Sequence, residues 1–166
     1  MMRRFLAWAL MFGAVLSAAA CSREGGDQSR AQTHKARLGG TLVKLGDHAA
    51  HIEFVHNAVS GDLTAHVVDS HAATRVRLAQ ETISLHLISR AGDDATGQLV
   101  LGAVDDPALG EKRGDASQFA AASEFLRRRS RFTVVLTQIE VAGEAFRDVS
   151  FPFPEGNESA HDVAGE

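Results

Sequence analysis

His51-Ile52-Glu53-Phe54-Val55-His56, then Asn57-Ala58-Val59-Ser60-Gly61, then Asp62-Leu63-Thr64-Ala65-His66-Val67-Val68-Asp69 sets two alternating runs on either side of a cluster of turn-formers. Apolar residues at every second position mark half-buried strands, so the stretch predicts a β-hairpin. If Ala58 to Gly61 form a four-residue loop with Gly61 at positive φ, Asn57 lies opposite Asp62. Ile52, Phe54 and His56 then share a face with Val67, Ala65 and Leu63, and the apolar positions of both runs agree. The other face carries His51, Glu53 and Val55 with Val68, His66 and Thr64. Glu53 stands opposite His66, and His51 is diagonal to it. The arrangement depends on register, because a one-residue bulge would move His66 to the opposite side.

Similar short runs recur at residues 41–45, 75–79, 82–88, 98–104, 132–141 and 145–151, most of them separated by turn-formers. Strands at such spacing predict an all-β fold, an antiparallel β-sandwich or open barrel of about 7–8 strands. A parallel sheet would need crossover helices between them. The one rival helical stretch is Ser117 to Arg129, where Phe119, Ala122, Phe125 and Leu126 recur at helical spacing. A short helix there and a strand from Gln118 to Ala122 followed by a turn both fit. Pro152 and Pro154 lack amide donors and place the last strand at an edge or end it. The expected domain spans 39–154, which is enough for one core.

The amino terminus has a different pattern. Arg3 and Arg4 precede an uncharged stretch from Phe5 to Ala20 that ends in small residues, the order of a secretory signal and too short for a bilayer span. Leu16-Ser17-Ala18-Ala19-Ala20-Cys21 resembles the lipobox of bacterial lipoproteins, with Ala18 where a large aliphatic is usual. The resemblance implies removal of residues 1–20 and a diacylglyceryl thioether on Cys21. The protein would then be lipid-anchored in the cell envelope and face the periplasm. In that family Ser22, in place of an aspartate, implies transfer to the outer membrane. Acyl chains contribute about 0.8 kcal/mol per buried methylene, so two or more give a stable anchor. Cys21 is the only cysteine, so no intrachain disulfide forms. Residues 21–38 read as a lipidated polar tether, and 155–166 as a disordered acidic tail. The formal net charge of −4 lacks the footprint of a nucleic-acid binder, despite the local run Arg127-Arg128-Arg129-Ser130-Arg131.

The chain has eight histidines, five of them between His48 and His71. Two imidazoles and a carboxylate converging on one sheet face can bind Zn²⁺, Cu²⁺ or Ni²⁺. The candidate metal ligands are His51, Glu53 and His66, with His48 near enough in sequence to be a fourth. The same residues also fit an ordinary cross-strand pair on a solvated face, worth roughly 0.2–1 kcal/mol. His56, on the apolar face, reads as a hydrogen-bonded residue at the core edge. No nucleophile elbow, phosphate-cradling glycine loop or His-Glu-x-x-His helix is present. Asp69-Ser70-His71 holds triad residue types, but adjacency in sequence does not supply triad geometry.

Leu38-Gly39-Gly40-Thr41-Leu42-Val43-Lys44-Leu45-Gly46-Asp47-His48-Ala49-Ala50-His51-Ile52-Glu53 resembles small extracytoplasmic bacterial proteins found beside heavy-metal efflux systems. The likeness extends through the hairpin to Val141-Ala142-Gly143-Glu144-Ala145-Phe146. Members often carry a histidine at the place of Leu38. Two functions are therefore expected. One is a noncatalytic accessory lipoprotein that binds another envelope protein, and the other is a metal-binding or metal-buffering domain.

Overall fold

The computed structural model of the chain describes residues 34–158. The expected signal segment, Cys21 and most of the expected tether, together with residues 159–166 of the expected tail, lie outside the described residues. Eight strands follow in chain order: β1 (Thr41–Leu45), β2 (Ala50–Asn57), β3 (Asp62–Val68), β4 (Thr82–Ser89), β5 (Thr96–Ala103), β6 (Gln118–Ala122), β7 (Phe132–Val141) and β8 (Glu144–Phe153). All pair antiparallel in one sheet of order β1-β2-β3-β6-β5-β4-β7-β8. The sheet curls until β1 approaches β8, giving a nearly closed barrel. Of the two all-β architectures expected, the barrel is the one formed.

β2 and β3 pair in the register that the sequence implies, with Asn57 opposite Asp62 and Glu53 opposite His66. Gly61 adopts φ +78° at the end of the loop. The 117–129 stretch forms β6 and a single 3₁₀ turn, Glu124–Leu126, capped by the Ser123 side chain. Its helix-like spacing arises because Phe119, on the strand, and Leu126, on the turn, both reach the core and are fully buried. The 75–79 run makes only isolated bridges, Val68 with Arg75 and Leu78 with Ala116. Among the described residues no helix is long and apolar enough to cross a membrane.

Alternate side chains point inward from every strand and fill the barrel. Val43, Ile52, Phe54, Leu63, Val67, Ile83, Leu85, Leu101, Val134 and Leu136 are essentially inaccessible. Full burial of each such side chain contributes about 1.5–3 kcal/mol. Phe54 of β2 meets Phe151 of β8 with ring centroids 5.1 Å apart, which joins the two ends of the sheet from the inside. Phe132 and Phe153 stack at 4.7 Å, and His56 meets both edge-on. His56 Nε2 lies 3.1 Å from the Leu126 carbonyl, which places it at the core edge with a hydrogen bond.

The chain ends close the barrel. After β8 the chain turns through a Gly156 N–H bond to Pro152 O and runs beside β1. Thr41 Oγ1 donates to Pro154 O at 2.9 Å, Lys44 N donates to Asn157 Oδ1 at 2.7 Å, and Asn157 Nδ2 donates to Lys44 O at 3.0 Å. Asn157 thus substitutes for one residue of a neighbouring strand and satisfies an edge that would otherwise present free backbone groups. Gly156, at φ +77°, lies so close to the Leu42 carbonyl that a Cβ would collide with it. On the amino-terminal side, residues 34–40 fold back over the outer face of β2. Gly40 presses on the Phe54 carbonyl where no Cβ fits. Residues 34–38 and 155–158, assigned by sequence to tether and tail, therefore pack against the sheet.

Asn157→Ala removes both bonds to the Lys44 backbone. A loss of about 1–3 kcal/mol is expected, as a lower urea midpoint at unchanged m-value, with faster hydrogen exchange at the Lys44 amide.

Candidate metal centre

The outer face of β2 is not solvated. His51 and Glu53 are buried there although their strand neighbours Ile52 and Phe54 face the core, because the 34–40 segment covers them. Glu53 is what holds that segment. Its Oε2 accepts from Arg37 N at 2.9 Å, and its Oε1 accepts from Leu38 N at 2.7 Å and Gly40 N at 2.9 Å. A carboxylate with three amide donors is a compact anion site, and charge-assisted bonds of this kind are roughly twice as strong as neutral ones.

The fold-back brings His34 over His51, with ring centroids 4.8 Å apart. The Asn157 contacts carry Glu158 to the same place. Glu158 Oε1 accepts from His34 N at 2.9 Å, lies 2.9 Å from His34 Nδ1, and is 3.7 Å from His51 Nε2. His48 arrives from the β1–β2 turn, in a left-handed conformation at φ +60°, with its ring 5.9 Å from that of His51. One ligand atom each from His34, His48, His51 and Glu158 lies within 4.8 Å of the other three.

Burial and hydrogen bonding make these atoms available as donors to a cation. His51 Nδ1 is 3.2 Å from the Asp69 carbonyl, which can only accept, so Nδ1 carries the proton and Nε2 presents its lone pair. Fixing the remote ring nitrogen on a backbone carbonyl is the usual outer-shell arrangement of a ligating histidine. Burial lowers the His51 pKa from its ordinary 6.5, against the opposing Asp69 contact and the Glu158 charge, which favours the neutral ligating form. His51 Nε2, His48 Nδ1 and Glu158 Oε2 are all buried without a hydrogen-bond partner. Buried polar atoms are seldom left so, and three on the residues of one cluster mark a place for a bound group. Asp69 shapes this wall. Its carboxylate accepts from Ala73 N at 2.8 Å and His71 N at 3.2 Å, and its pKa is drawn down to about 2, chiefly by the Ala73 amide.

Of the four ligands expected from sequence, the structure brings His48 and His51 together. Glu53 and His66 sit opposite each other on the same outer face, as the register requires, but neither is in the cluster. Glu53 is engaged by backbone amides, and His66 borders a separate cleft. His34 and Glu158 complete the cluster and were missed, because both lie in polar flanks whose composition reads as linker. The paired Gly39 and Gly40 were the available signal, since a close backbone approach there turns the flank back onto β2. No protein family matches the chain, and no curated protein or solved structure matches it.

Two outcomes are expected. Glu53→Ala should cost about 1.5–3 kcal/mol and release the backbone of the 34–40 segment, so that trypsin cleaves faster after the exposed Lys35 and Arg37, which is read by urea unfolding and peptide mapping. In the presence of chelator, stability should fall as pH drops below 6.5. Burial holds His51, His56 and His66 below that value in the folded state, so the unfolded chain binds more protons there. The histidine contribution should level off once pH passes below the lowered folded values, with a separate loss at lower pH as Asp69, held down to about 2 in the folded state, takes up its proton; a series of urea midpoints against pH tests both.

Proposed function

We propose that the protein is a noncatalytic binding module of the bacterial cell envelope that holds a divalent transition metal at His34, His48, His51 and Glu158. The observation that carries this reading is the convergence of four ligand atoms within 4.8 Å, three of the residues contributing buried atoms without partners. In a tetrahedral Zn²⁺ site with bonds of roughly 2.0–2.1 Å, ligand atoms lie about 3.3 Å apart. Reaching that from the observed spacing needs shifts of less than about 1 Å per ligand. Three imidazoles and a carboxylate suit Zn²⁺ by geometry, whereas Cu²⁺ and Ni²⁺ favour tetragonal arrangements.

Four protein ligands fill a tetrahedral shell and leave no position for substrate, so the site suits holding or buffering a metal rather than catalysis. The signal segment and Cys21 support a lipid anchor and a periplasm-facing location, with the outer membrane favoured. The likeness of residues 38–53 to proteins found beside heavy-metal efflux systems supports an accessory role toward an envelope partner.

Calorimetric titration of the tag-free mature chain with Zn²⁺, Cu²⁺ and Ni²⁺ is the test. One Zn²⁺ per chain is expected. His34→Ala, His51→Ala and Glu158→Gln should each weaken it by at least about 100-fold, since even outer-shell changes cost 10–100-fold. Absence of binding, or affinity unchanged from the unsubstituted chain in the two flank variants His34→Ala and Glu158→Gln, overturns the assignment.

A further inference from the structure

Beside the proposed metal centre, the 34–40 segment and the loop after β3 enclose a second space against the outer face of β2 and β3. It is a cleft of about 320 Å³ whose border includes Arg37, Leu38, Glu53, His66, Val68 and Arg75. Its polar groups are unevenly satisfied. Arg37 donates from Nη1 to the Ala73 carbonyl at 2.6 Å, which joins one wall to the other. Glu53 has both oxygens on backbone amides. The Arg75 guanidinium has no carboxylate or carbonyl partner among the described residues. His66 Nδ1 is buried with no hydrogen-bond partner.

Arg37 and Arg75 outnumber Glu53 in the lining itself, while the buried Glu111 lies behind it and bears on His66 together with Glu53. Arg75 and His66 are close enough for the cation to bear electrostatically on the imidazole. Between these polar groups the wall is apolar, supplied by Leu38, Val68 and Ala72. The volume is at the lower end of the range for small-molecule sites, which are characteristically apolar with a few convergent polar groups.

We infer that this cleft is a binding site for a small organic carboxylate, whose head group bridges the Arg75 guanidinium and His66 Nδ1 while its aliphatic part lies on Leu38, Val68 and Ala72. A guanidinium matches a carboxylate through two parallel N–H donors, and a neutral imidazole with Nδ1 protonated adds a third. A bare inorganic oxyanion would satisfy the same donors but leave the apolar wall uncovered. The inference does not rest on metal binding, since none of Arg75, His66 and Val68 belongs to the four-residue cluster.

The test uses the mature chain with ¹⁵N-labelled histidine and ¹³C-labelled methyl groups, titrated separately with butyrate and with inorganic phosphate. Butyrate should saturably shift the His66 ring nitrogens and the Leu38, Val68 and Ala72 methyl signals. Arg75→Gln, at an exposed position, should weaken this by about tenfold or more, as loss of a charge-assisted bond requires. The His56 ring and remote methyls should stay unmoved in the same spectra. Phosphate shifting His66 where butyrate does not would overturn the organic-acid assignment. Absence of any saturable shift, or equal butyrate affinity in Arg75→Gln, would overturn the site itself.

Discussion

A curled β-sheet has two edges to dispose of, and here they are disposed of by the chain's own ends. β1 and β8 are terminal in the strand order, and residues 154–158 lie along β1 with Asn157 bonding the Lys44 backbone in both directions. Inside, the Phe54–Phe151 contact ties β2, the neighbour of β1, to β8. An open edge of β1 would expose a row of unpaired amides and carbonyls to other chains. Closing it covers that row and also fixes where the next residue must lie. Glu158 reaches the histidines because Asn157 is anchored one residue earlier.

Glu53 does on the amino-terminal side what Asn157 does on the carboxy-terminal side. A carboxylate on the outer face of a strand is ordinarily solvated, yet this one is buried and accepts three backbone N–H bonds from the segment that buries it. Desolvating a charge without such donors would cost several kcal/mol. With them, the charge becomes the reason the segment stays down. The covering segment then turns the outer face of β2 into a second, polar interior. In that interior His51 is shifted toward its neutral form by burial, and both the four-residue cluster and the neighbouring cleft take a wall from the segment.

The hairpin was legible to the level of single pairs because its two faces differ so sharply. Ile52, Phe54, Leu63, Ala65 and Val67 share a face in every register of the same parity, and the four-residue loop ending at Gly61, with the positive φ it needs, selects the one that forms. Strands β4, β5 and β7 were legible for the same reason. The Ser117 to Arg129 stretch was ambiguous because a strand followed by a 3₁₀ turn can bury Phe119 and Leu126 at a spacing that also suits a helix. Half of the cluster was legible, since His48 and His51 are close in sequence and on adjoining elements. The other half was not. Nothing in the local pattern around Glu158 reports the β1 edge more than a hundred residues away that it must reach, and nothing around His34 reports that its flank folds back over β2. The expected pairing of Glu53 with His66 was geometrically sound. What periodicity could not show is that backbone amides from a polar flank would take the carboxylate.

The origin of the four ligands decides what kind of metal site the cluster would be. A site made from His51, Glu53 and His66 would need only one hairpin, and a short peptide could form it. His34 and Glu158 are 124 residues apart, and they meet only when the sheet has closed and both flanks have docked. Closing a loop of that length carries an entropic cost that grows with the logarithm of its size, and the barrel meets it before any ion arrives. A metal bound there would bind the folded state and not the unfolded chain, so its binding free energy would add directly to folding stability. The flanks that close the barrel would then also be the part of the molecule most tightened by the ion, through the same Glu158 and His34 contacts that lie at the two ends of the described chain.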